Sequence, residues 1–138
     1  IKNSLGGKID YTPLDYTKIP ACTYCHPEVA SVGYTEEKAR ALGMTVKVGR
    51  FPFSASGRAR AQGESEGFIK LVATEPYGQI VGAHIIGPAA TELISEVSLG
   101  MHWELLAENL GRTIHAHPTL AEGIMEAAAA LGGEAINL

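Results

Sequence analysis

The sequence predicts an α+β domain, in which helices pack on one face of an antiparallel β-sheet. Two observations support this fold class. Segments with strand composition precede Gly87-Pro88, whereas segments with the apolar periodicity of helices follow it. Two of the strand segments are separated only by Glu-Pro-Tyr-Gly, a turn sequence typical of antiparallel hairpins. Strands that come first and helices that come later favour an antiparallel sheet covered by helices on one side.

Three segments have the composition of β-strands. They are residues 45–53, 68–74 (FIKLVAT) and 79–86 (QIVGAHII). The last two flank the Glu-Pro-Tyr-Gly turn and form the predicted hairpin. Pro52 indicates an edge strand or a strand end, because proline donates no hydrogen bond to a neighbouring strand. A shorter strand is predicted within ACTYC, residues 21–25, and ends before His26-Pro27.

Helices are predicted in four places. A threonine cap, two acidic residues in the first turn and Gly43 as a stop signal define a two-turn helix over residues 35–42. Apolar residues at helical spacing define the second helix; they are Leu93, Ile94, Val97 and Met101. A short helix over residues 104–110 ends at Gly111, and the last helix runs from about 119 to 132. The polar residues 57–67 predict a loop with one helical turn.

Length and composition fit one globular domain with a hydrophobic core. The chain has 138 residues, of which 46% are hydrophobic. Its formal net charge is −4 and its sequence pI is about 5.7, which argues against nucleic acid or an anionic membrane as a partner. No apolar run approaches the roughly 18 residues of a membrane span, and no secretory signal is visible.

The first residues suggest that the chain is part of a longer protein. It opens on Ile1 rather than Met, and residues 1–18 contain Gly6-Gly7 and Pro13 without a sustained period. We therefore predict that residues 1–18 are the tail of a preceding domain and that residues 19–138 form the domain itself. The chain has only two cysteines, which are too few for a secreted disulfide scaffold, so the predicted location is the cytoplasm.

The segment TIHAHPTLAE, residues 113–122, carries the candidate chemistry. Thr119 and Glu122 have the spacing of a capping box, in which the glutamate accepts a hydrogen bond from the backbone N–H of the cap residue. The same carboxylate is also placed to orient His117 and to stabilise its protonated form, which would make His117 a general base. A sharp turn at His117-Pro118 is a place where a cis peptide bond is expected. Spacing alone leaves the cap hypothesis and the base hypothesis open.

Other histidines and the cysteines have weaker claims to a function. His115 is expected to point away from His117 and to make structural hydrogen bonds. His84, within an apolar strand, is expected to be a satisfied core or interface histidine. The spacing of Cys22 and Cys25 suits zinc or a redox pair. However, Pro27 follows too closely for a helix to begin at Cys25, and no second pair of closely spaced ligands is present. We interpret the cysteines as incidental strand residues and expect no metal.

Several motifs together resemble one family. HAHPTLAE resembles the C-terminal signature of the dihydrolipoyl dehydrogenases, which are FAD- and NAD-dependent disulfide oxidoreductases. YCHPEVASVGYTEEKARALG is similar to the family's segment that opens its interface domain, and EGFIKLVA with GQIVGAHIIGPAATELISE is similar to its central hairpin and following helix. Glutathione reductase and its relatives share HPT and the glutamate but differ around them. The resemblance therefore covers most of the chain and favours the dihydrolipoyl branch.

The resemblance implies a dimerisation domain that supplies half of an active site. By this resemblance, His117 is the base that takes a proton from a dihydrolipoyl thiol, and Glu122 holds and stabilises it. The backbone at His117 and Pro118 would lie against the FAD of the partner subunit in a homodimer. The intact enzyme would oxidise the lipoyl-bearing protein of a 2-oxo acid dehydrogenase or glycine cleavage complex with NAD+. The isolated chain is expected to be inactive.

The chain also departs from the family's full pattern. It has neither the C-x4-C redox pair nor a GxGxxG dinucleotide motif, which implies that both lie in another part of the protein. Three alternatives stay open at this point. They are the dimerisation domain of a glutathione reductase-like enzyme, a dimerisation or docking module without chemistry, and a zinc-binding domain.

Overall fold

The computed structural model describes residues 13–137, which form one five-stranded antiparallel sheet and its helices. The strands are β1 (Ala21–Thr23), β2 (Glu28–Gly33), β3 (Val46–Pro52), β4 (Phe68–Thr74) and β5 (Ile80–Gly87), in the spatial order β1-β2-β5-β4-β3. The helices are α1 (Glu36–Ala41), α2 (Gly57–Gln62), α3 (Ala90–His102), α4 (Ala107–Arg112) and α5 (Glu122–Gly132). Short 3-10 turns lie at Tyr16–Lys18 and Phe53–Ala55. The predicted fold class is confirmed.

Strands β4 and β5 form the predicted hairpin. Their register places Ile69 opposite Ile85 and Leu71 opposite Ala83, and these four side chains are fully buried. All four point to the face of the sheet that the helices cover, because side chains alternate between the two faces along a strand. Helix α3 packs on β5 and β2, α5 packs on β3 and β4, and α4 packs on α5. The main core therefore lies between the sheet and these three helices.

Helix α1 covers part of the opposite face. Its buried Ala39 packs with Val46 of β3 and Val72 of β4 in a second, smaller apolar cluster. Thr35 caps the helix by accepting the N–H of Lys38, as the sequence predicts. One face of the sheet thus carries the long helices, and the other is covered in part by a single short helix.

Strand β2 was not predicted from the sequence. Its residues pair with β1 on one side and with β5 on the other, so it is central to the sheet rather than an edge strand. The alternation is present, since Ala30 and Val32 are buried while Val29 is exposed. The strand is short and its buried side chains are small, so the apolar pattern is weak. The cis His26-Pro27 peptide precedes it.

Two helices begin later than predicted. The segment from Glu104 does not start a helix, because Glu104 has a left-handed backbone (φ 55) and Leu106 is extended. Leu105 and Leu106 instead pair with the start of β5, where the Ile80 N–H donates to the Leu105 carbonyl. Helix α4 therefore begins at Ala107. Helix α5 begins at Glu122 rather than near Thr119, which leaves residues 113–121 as a loop.

Glu28 of β2 caps helix α3 from a distant part of the chain. Ala89 at the N-cap position has no side chain able to accept the free N–H groups. The Glu28 carboxylate takes that role, accepting the Thr91 N–H at 2.9 Å and the Thr91 hydroxyl at 2.7 Å. The backbone and side-chain hydrogen bonds from Thr91 lower the pKa of Glu28 below its usual value. Glu28, which follows His26-Pro27, thus fastens α3 to the sheet.

Helix α5 lies unusually close to β3. A Cβ atom added to Gly49 would clash with the carbonyl oxygen of Ala127, so only glycine allows this approach. The buried face of the helix consists mostly of small side chains, with Ile124 filling the space above the sheet. The close approach fixes the height of α5 over the sheet and with it the position of Glu122.

Glu126 is a buried carboxyl group that holds the last described residues. Its side chain is 2% exposed. It accepts hydrogen bonds from the N–H groups of Ile136 (2.9 Å) and Asn137 (3.3 Å) and from the Asn137 side-chain amide (2.6 Å). These donors satisfy a polar group that would otherwise be costly to bury. The segment after α5 is therefore folded back onto the helix.

Part of the predicted N-terminal tail lies outside the described residues. Of residues 1–18, the structure describes 13–18, and the turn Tyr16–Lys18 contacts β2 and α3. Within residues 13–137, none of the helices has the length and apolar character needed to cross a membrane.

Candidate acid–base site

The loop between α4 and α5 carries both histidines of the HAHP motif. Helix α4 ends at Arg112, and Thr113 continues in an extended conformation. The loop then runs over the surface, with Ile114 97% exposed and Ala116, His117 and Pro118 also exposed. The His117-Pro118 peptide is cis, as expected from the sequence. At the centre of the loop, the side chains of Ile114, Ala116, His117 and Pro118 therefore point outward.

His117 and Glu122 form a hydrogen-bonded pair at the start of α5. The His117 Nδ1 atom lies 2.8 Å from Glu122 Oε1. The His117 side chain is 82% exposed, whereas that of Glu122 is 25% exposed. The second carboxylate oxygen, Oε2, accepts the backbone N–H of Thr119 at 2.8 Å. The Glu122 carboxylate thus bonds both to the Thr119 N–H and to His117, the two alternatives that spacing alone left open.

Thr119 makes only half of the predicted capping box. Its hydroxyl donates to the Ala116 carbonyl at 2.7 Å and does not accept an N–H of α5. The predicted bond from the Thr119 N–H to Glu122 is present, but Glu122 is itself the first residue of the helix. The correction follows from the later start of α5, which places Thr119 one turn before the helix.

The charge on Glu122 sets the tautomer of His117. Burial opposes ionisation of the Glu122 carboxyl, but the hydrogen bonds from Thr119 and His117 outweigh it, so that the pKa of Glu122 is lowered. An ionised carboxylate only accepts hydrogen bonds, so His117 Nδ1 must carry a proton. In the neutral ring the lone pair then belongs to Nε2. This nitrogen is the one available to accept a proton from another molecule.

His115 faces the opposite way and is held on both sides. Its side chain is 7% exposed. The Nδ1 atom lies 2.8 Å from the Thr113 carbonyl oxygen, and Nε2 lies 2.8 Å from Oε1 of Glu96 on α3. The predicted orientation away from His117 is confirmed. Sequence reasoning missed Glu96, because it is 19 residues earlier and nothing in its spacing relates it to the loop.

The two cysteines do not share one environment. Cys22 lies on β1 and packs against the main core, whereas Cys25 is exposed in the following loop, with its thiol near the Pro27 carbonyl. The prediction that both are strand residues is therefore wrong for Cys25. In the part of the chain that the structure describes, no group of three or more His, Cys, Asp and Glu side chains is arranged to hold a metal ion.

His84 differs from the expected satisfied histidine. It lies on β5 opposite Ser31 and Lys70, on the face that the long helices do not cover. Its Nδ1 atom is buried and has no hydrogen-bond partner among residues 13–137. Burial is the main cause that lowers the pKa of His84, and the neighbouring Lys70 charge acts in the same direction. A neutral ring at neutral pH follows from this environment.

The sequence of residues 19–128 matches a family described as pyridine nucleotide-disulphide oxidoreductase, dimerisation domain. Among curated relatives, dihydrolipoyl dehydrogenase of Bacillus subtilis is 50% identical over 125 residues, which cover 91% of this chain and 26% of that protein. Dihydrolipoyl dehydrogenase of Thermus scotoductus is 50% identical over 121 residues, which cover 88% of this chain and 26% of that protein. The mitochondrial dihydrolipoyl dehydrogenase of Pisum sativum is 42% identical over 134 residues, covering 97% and 26%.

Solved structures show the same arrangement. The fold matches LpdA from Mycobacterium tuberculosis with a TM-score of 0.84 and 25% identity, covering 94% of this chain and 28% of that one. It matches the HOCl-induced flavoprotein disulfide reductase RclA from Escherichia coli, in its Cu(II) complex, with a TM-score of 0.86 and 26% identity, covering 93% and 29%. The chain spans only 26–29% of the length of these proteins. On the match over residues 19–128, the chain belongs to the pyridine nucleotide-disulphide oxidoreductase dimerisation domain family.

Proposed function

We propose that this chain is the dimerisation domain of a dihydrolipoyl dehydrogenase. In the intact enzyme, one protein-bound dihydrolipoyl dithiol is oxidised to the disulfide, and one NAD+ is reduced to NADH with release of one proton. The observation that carries the proposal is the exposed His117 ring paired with Glu122, in a chain up to 50% identical to proteins of that name. Residues 1–18 are then the end of a preceding domain, and residues 19–138 are the dimerisation domain.

His117 acts as the base toward the dithiol. Thiolate, rather than thiol, attacks a disulfide, so the reaction needs a group that takes the thiol proton. The outward Nε2 of His117 carries the lone pair, because Nδ1 is engaged with Glu122. A positioned base of this kind contributes about 10²- to 10⁴-fold to the rate.

Glu122 holds the ring and compensates its charge. When Nε2 takes up a proton, the imidazolium lies 2.8 Å from an ionised carboxylate, which stabilises it. The bond from the Thr119 N–H fixes the other oxygen of Glu122, so the carboxylate cannot turn away from the ring. Helix α5 begins at Glu122, so the carboxylate that holds the ring is mounted on a rigid element.

FAD and NAD are the cofactors of the proposed enzyme. The described residues fit an edge contact rather than a complete cofactor site, since the exposed backbone at His117 and Pro118 is accessible while the chain has no GxGxxG motif. His117 and Pro118 would therefore contact the FAD of the partner subunit. FAD supplies a carrier for the electron pair between the redox disulfide and NAD+. The isolated chain is expected to be inactive, because the disulfide and both dinucleotide sites would lie elsewhere in the protein.

A homodimer is the proposed assembly. Exposed apolar side chains occur at Leu99 on α3, at Trp103 directly after α3 and at Ile114 in the His117 loop, with exposed fractions of 60%, 70% and 97%. The bond between His115 and Glu96 joins the loop to α3 one turn before Leu99. An apolar surface that adjoins the site fits a twofold interface, which buries the same patch on both subunits.

The partner of the intact enzyme would be the lipoyl-bearing protein of a 2-oxo acid dehydrogenase or glycine cleavage complex. The proposed location is the cytoplasm, which agrees with two free cysteines. The net charge of −4 gives no support for a nucleic-acid or anionic-membrane partner.

Substitution of His117 tests the proposed function. In the full-length protein that contains this domain, His117→Gln should lower turnover of dihydrolipoamide and NAD+ by about 10²- to 10⁴-fold. The FAD content, measured from the visible absorbance spectrum, should not change. His26→Gln is the matched control, because His26 is exposed in the loop between β1 and β2 and far along the chain from the site. Turnover near that of the unmodified protein in His117→Gln would refute the base role.

A second assay separates the proposed branch from the glutathione reductase-like alternative. The unmodified full-length protein should oxidise dihydrolipoamide with NAD+ and should not reduce glutathione disulfide with NADPH. The reverse pattern would keep the family and overturn the proposed substrate.

A further inference from the structure

His115 is held at both ring nitrogens by oxygen atoms. Nδ1 lies 2.8 Å from the Thr113 carbonyl oxygen and Nε2 lies 2.8 Å from Glu96 Oε1. A carbonyl oxygen and an ionised carboxylate only accept hydrogen bonds. A neutral imidazole has one N–H and can donate only one of the two bonds. The pair therefore makes both bonds only when it holds one additional proton, either on the ring or on the Glu96 carboxyl group.

This pair attaches the loop to helix α3. Within residues 13–137, the other hydrogen bonds of residues 113–119 are local. They join Thr113 to α4, Thr119 to Ala116, and Thr119 and His117 to Glu122. Burial fixes the loop at its α5 end, where Leu120 packs against the main core, but not at its centre, because Ile114, Ala116 and Pro118 are exposed. The side chain of His115, 7% exposed, is the part of the loop that reaches inward to α3.

We infer that His115 is a positioning residue for His117 and that Glu96 is the group through which it acts. The pair fastens the loop to α3 and so sets where the His117 ring stands relative to the thiols and the flavin of the partner subunit. His115 does not contact the reacting atoms, since its ring faces away from the exposed side of the loop. The inference rests on the proposed base role of His117.

Loss of the bond between His115 and Glu96 should lower the rate of the reaction. A catalytic group that is displaced by about 1 Å can lose about 10²-fold in rate. The chemical step depends on the position of His117, whereas NAD+ would bind elsewhere. We therefore expect His115→Ala and Glu96→Ala to lower kcat by about 10- to 100-fold. The KM for NAD+ should stay unchanged.

Glu96→Gln tests whether Glu96 acts through its hydrogen bond to His115. This variant keeps the bond, so it should restore kcat, whereas a role that depended on the charge of Glu96 would be lost. The glutamine amide donates an N–H, so a neutral His115 can accept it at Nε2 while Nδ1 donates to the Thr113 carbonyl oxygen. Both hydrogen bonds survive without the additional proton. Glu96→Gln should therefore keep kcat near that of the unmodified protein, while Glu96→Ala lowers it. Glu92→Ala, an exposed position one turn earlier on α3, is the matched control and should have no effect.

The experiment uses the full-length flavoprotein and two measurements. The first is steady-state kinetics with dihydrolipoamide and NAD+. The second is the NMR signal of the Ile114 δ1-methyl group, labelled with ¹³C in a deuterated protein and assigned with Ile114→Val. Ile114 adjoins His115 in the loop, so its methyl group reports the position and order of the loop. We expect both alanine variants to shift or narrow this signal and Glu96→Gln to leave it in place.

Each outcome decides the inference. Unchanged Ile114 signals in both alanine variants would overturn it, whether or not kcat falls. Altered signals with an unchanged kcat would also overturn it, because the attachment would then not position the base. A third arm uses His117→Gln as background, where His115→Ala should cause no further loss of kcat if it acts through His117. Normal turnover of His117→Gln itself would refute the base role in the proposed function. The Ile114 signal would then still show whether the His115–Glu96 pair holds the loop.

Discussion

Replacement of Glu122 by glutamine isolates the role of one oxygen atom. In the native site the carboxylate accepts two hydrogen bonds, from the Thr119 N–H and from His117 Nδ1, each at 2.8 Å. A glutamine side chain offers one accepting oxygen and one donating amide nitrogen. The two donors bond to different oxygens of Glu122, and in glutamine one of these two positions is a donating NH2 group. The Thr119 N–H is part of the backbone and cannot become an acceptor, whereas His117 can change its tautomer.

The expected rearrangement places the wrong nitrogen outward. The glutamine oxygen turns to the Thr119 N–H, and its NH2 group donates to His117 Nδ1. The proton of the neutral ring then moves to Nε2, so the outward nitrogen becomes a donor and no longer accepts a proton. Loss of a general base costs about 10²- to 10⁴-fold in rate, which corresponds to roughly 2.7–5.5 kcal/mol at 1.36 kcal/mol per factor of ten.

The stability effect of the same change should be small. The bond from the Thr119 N–H is kept, and the bond to His117 is made by a side chain that is 82% exposed. We expect the free energy of unfolding to fall by about 1 kcal/mol or less. Glu122→Ala should cost more, because it leaves the Thr119 N–H without its acceptor.

The assay is turnover of dihydrolipoamide and NAD+ by the full-length flavoprotein, with flavin content and melting temperature measured on the same samples. Glu64→Gln, at an exposed glutamate in the loop after α2, is the matched control and should behave like the unmodified protein. If Glu122→Gln retained turnover within about threefold, with full flavin content, the tautomer argument would be refuted.

Two further predictions concern the scaffold. Glu28→Ala removes the cap of α3 and should lower the free energy of unfolding by about 1–2 kcal/mol at pH 7. The pKa of Glu28 is lowered in the folded state, so its contribution is fully present above the ordinary pKa of an unfolded glutamate and is lost as pH falls through the folded-state value. In urea titrations the difference between the two proteins should therefore shrink in acid; a constant difference would contradict the assignment. Gly49→Ala forces α5 away from β3 and should cost about 1–3 kcal/mol, whereas Gly57→Ala, with open space around it, should cost nothing measurable. If Gly49→Ala and Gly57→Ala changed the free energy of unfolding equally, the close approach of α5 to β3 would not require glycine at position 49.

The elements with strong local signals could be predicted from the sequence. The β4–β5 hairpin follows from two apolar segments and a Pro-Gly turn, and α1 follows from its threonine cap and glycine stop. In the apolar stripe predicted for α3, Ile94, Val97 and Met101 are buried and Leu93 is partly buried. Strand β2 was missed because Ala30 and Val32 give a weak pattern over a short segment.

Contacts between distant residues had no local signal. The cap of α3 by Glu28 spans 63 positions, and the bond between His115 and Glu96 spans 19. The start of α4 was displaced because Leu105 and Leu106 pair with β5, a tertiary contact that overrides helix propensity. For the candidate site, spacing alone left open whether Glu122 would bond to the Thr119 N–H or to His117, and the family resemblance favoured His117. Neither showed that one carboxylate makes both bonds while the His117 ring stays exposed.

Because Glu126 is buried and bonds to the residues after α5, those residues contribute to the stability of the domain. Ile136 and Asn137 supply every hydrogen-bond donor that the Glu126 carboxyl group has among the described residues. A shortened protein that stopped at Gly133 would keep the whole of α5 and yet remove every protein donor to the Glu126 carboxyl group among the described residues. Trimming at the visible helix boundary would therefore be the wrong way to engineer a minimal version of this domain.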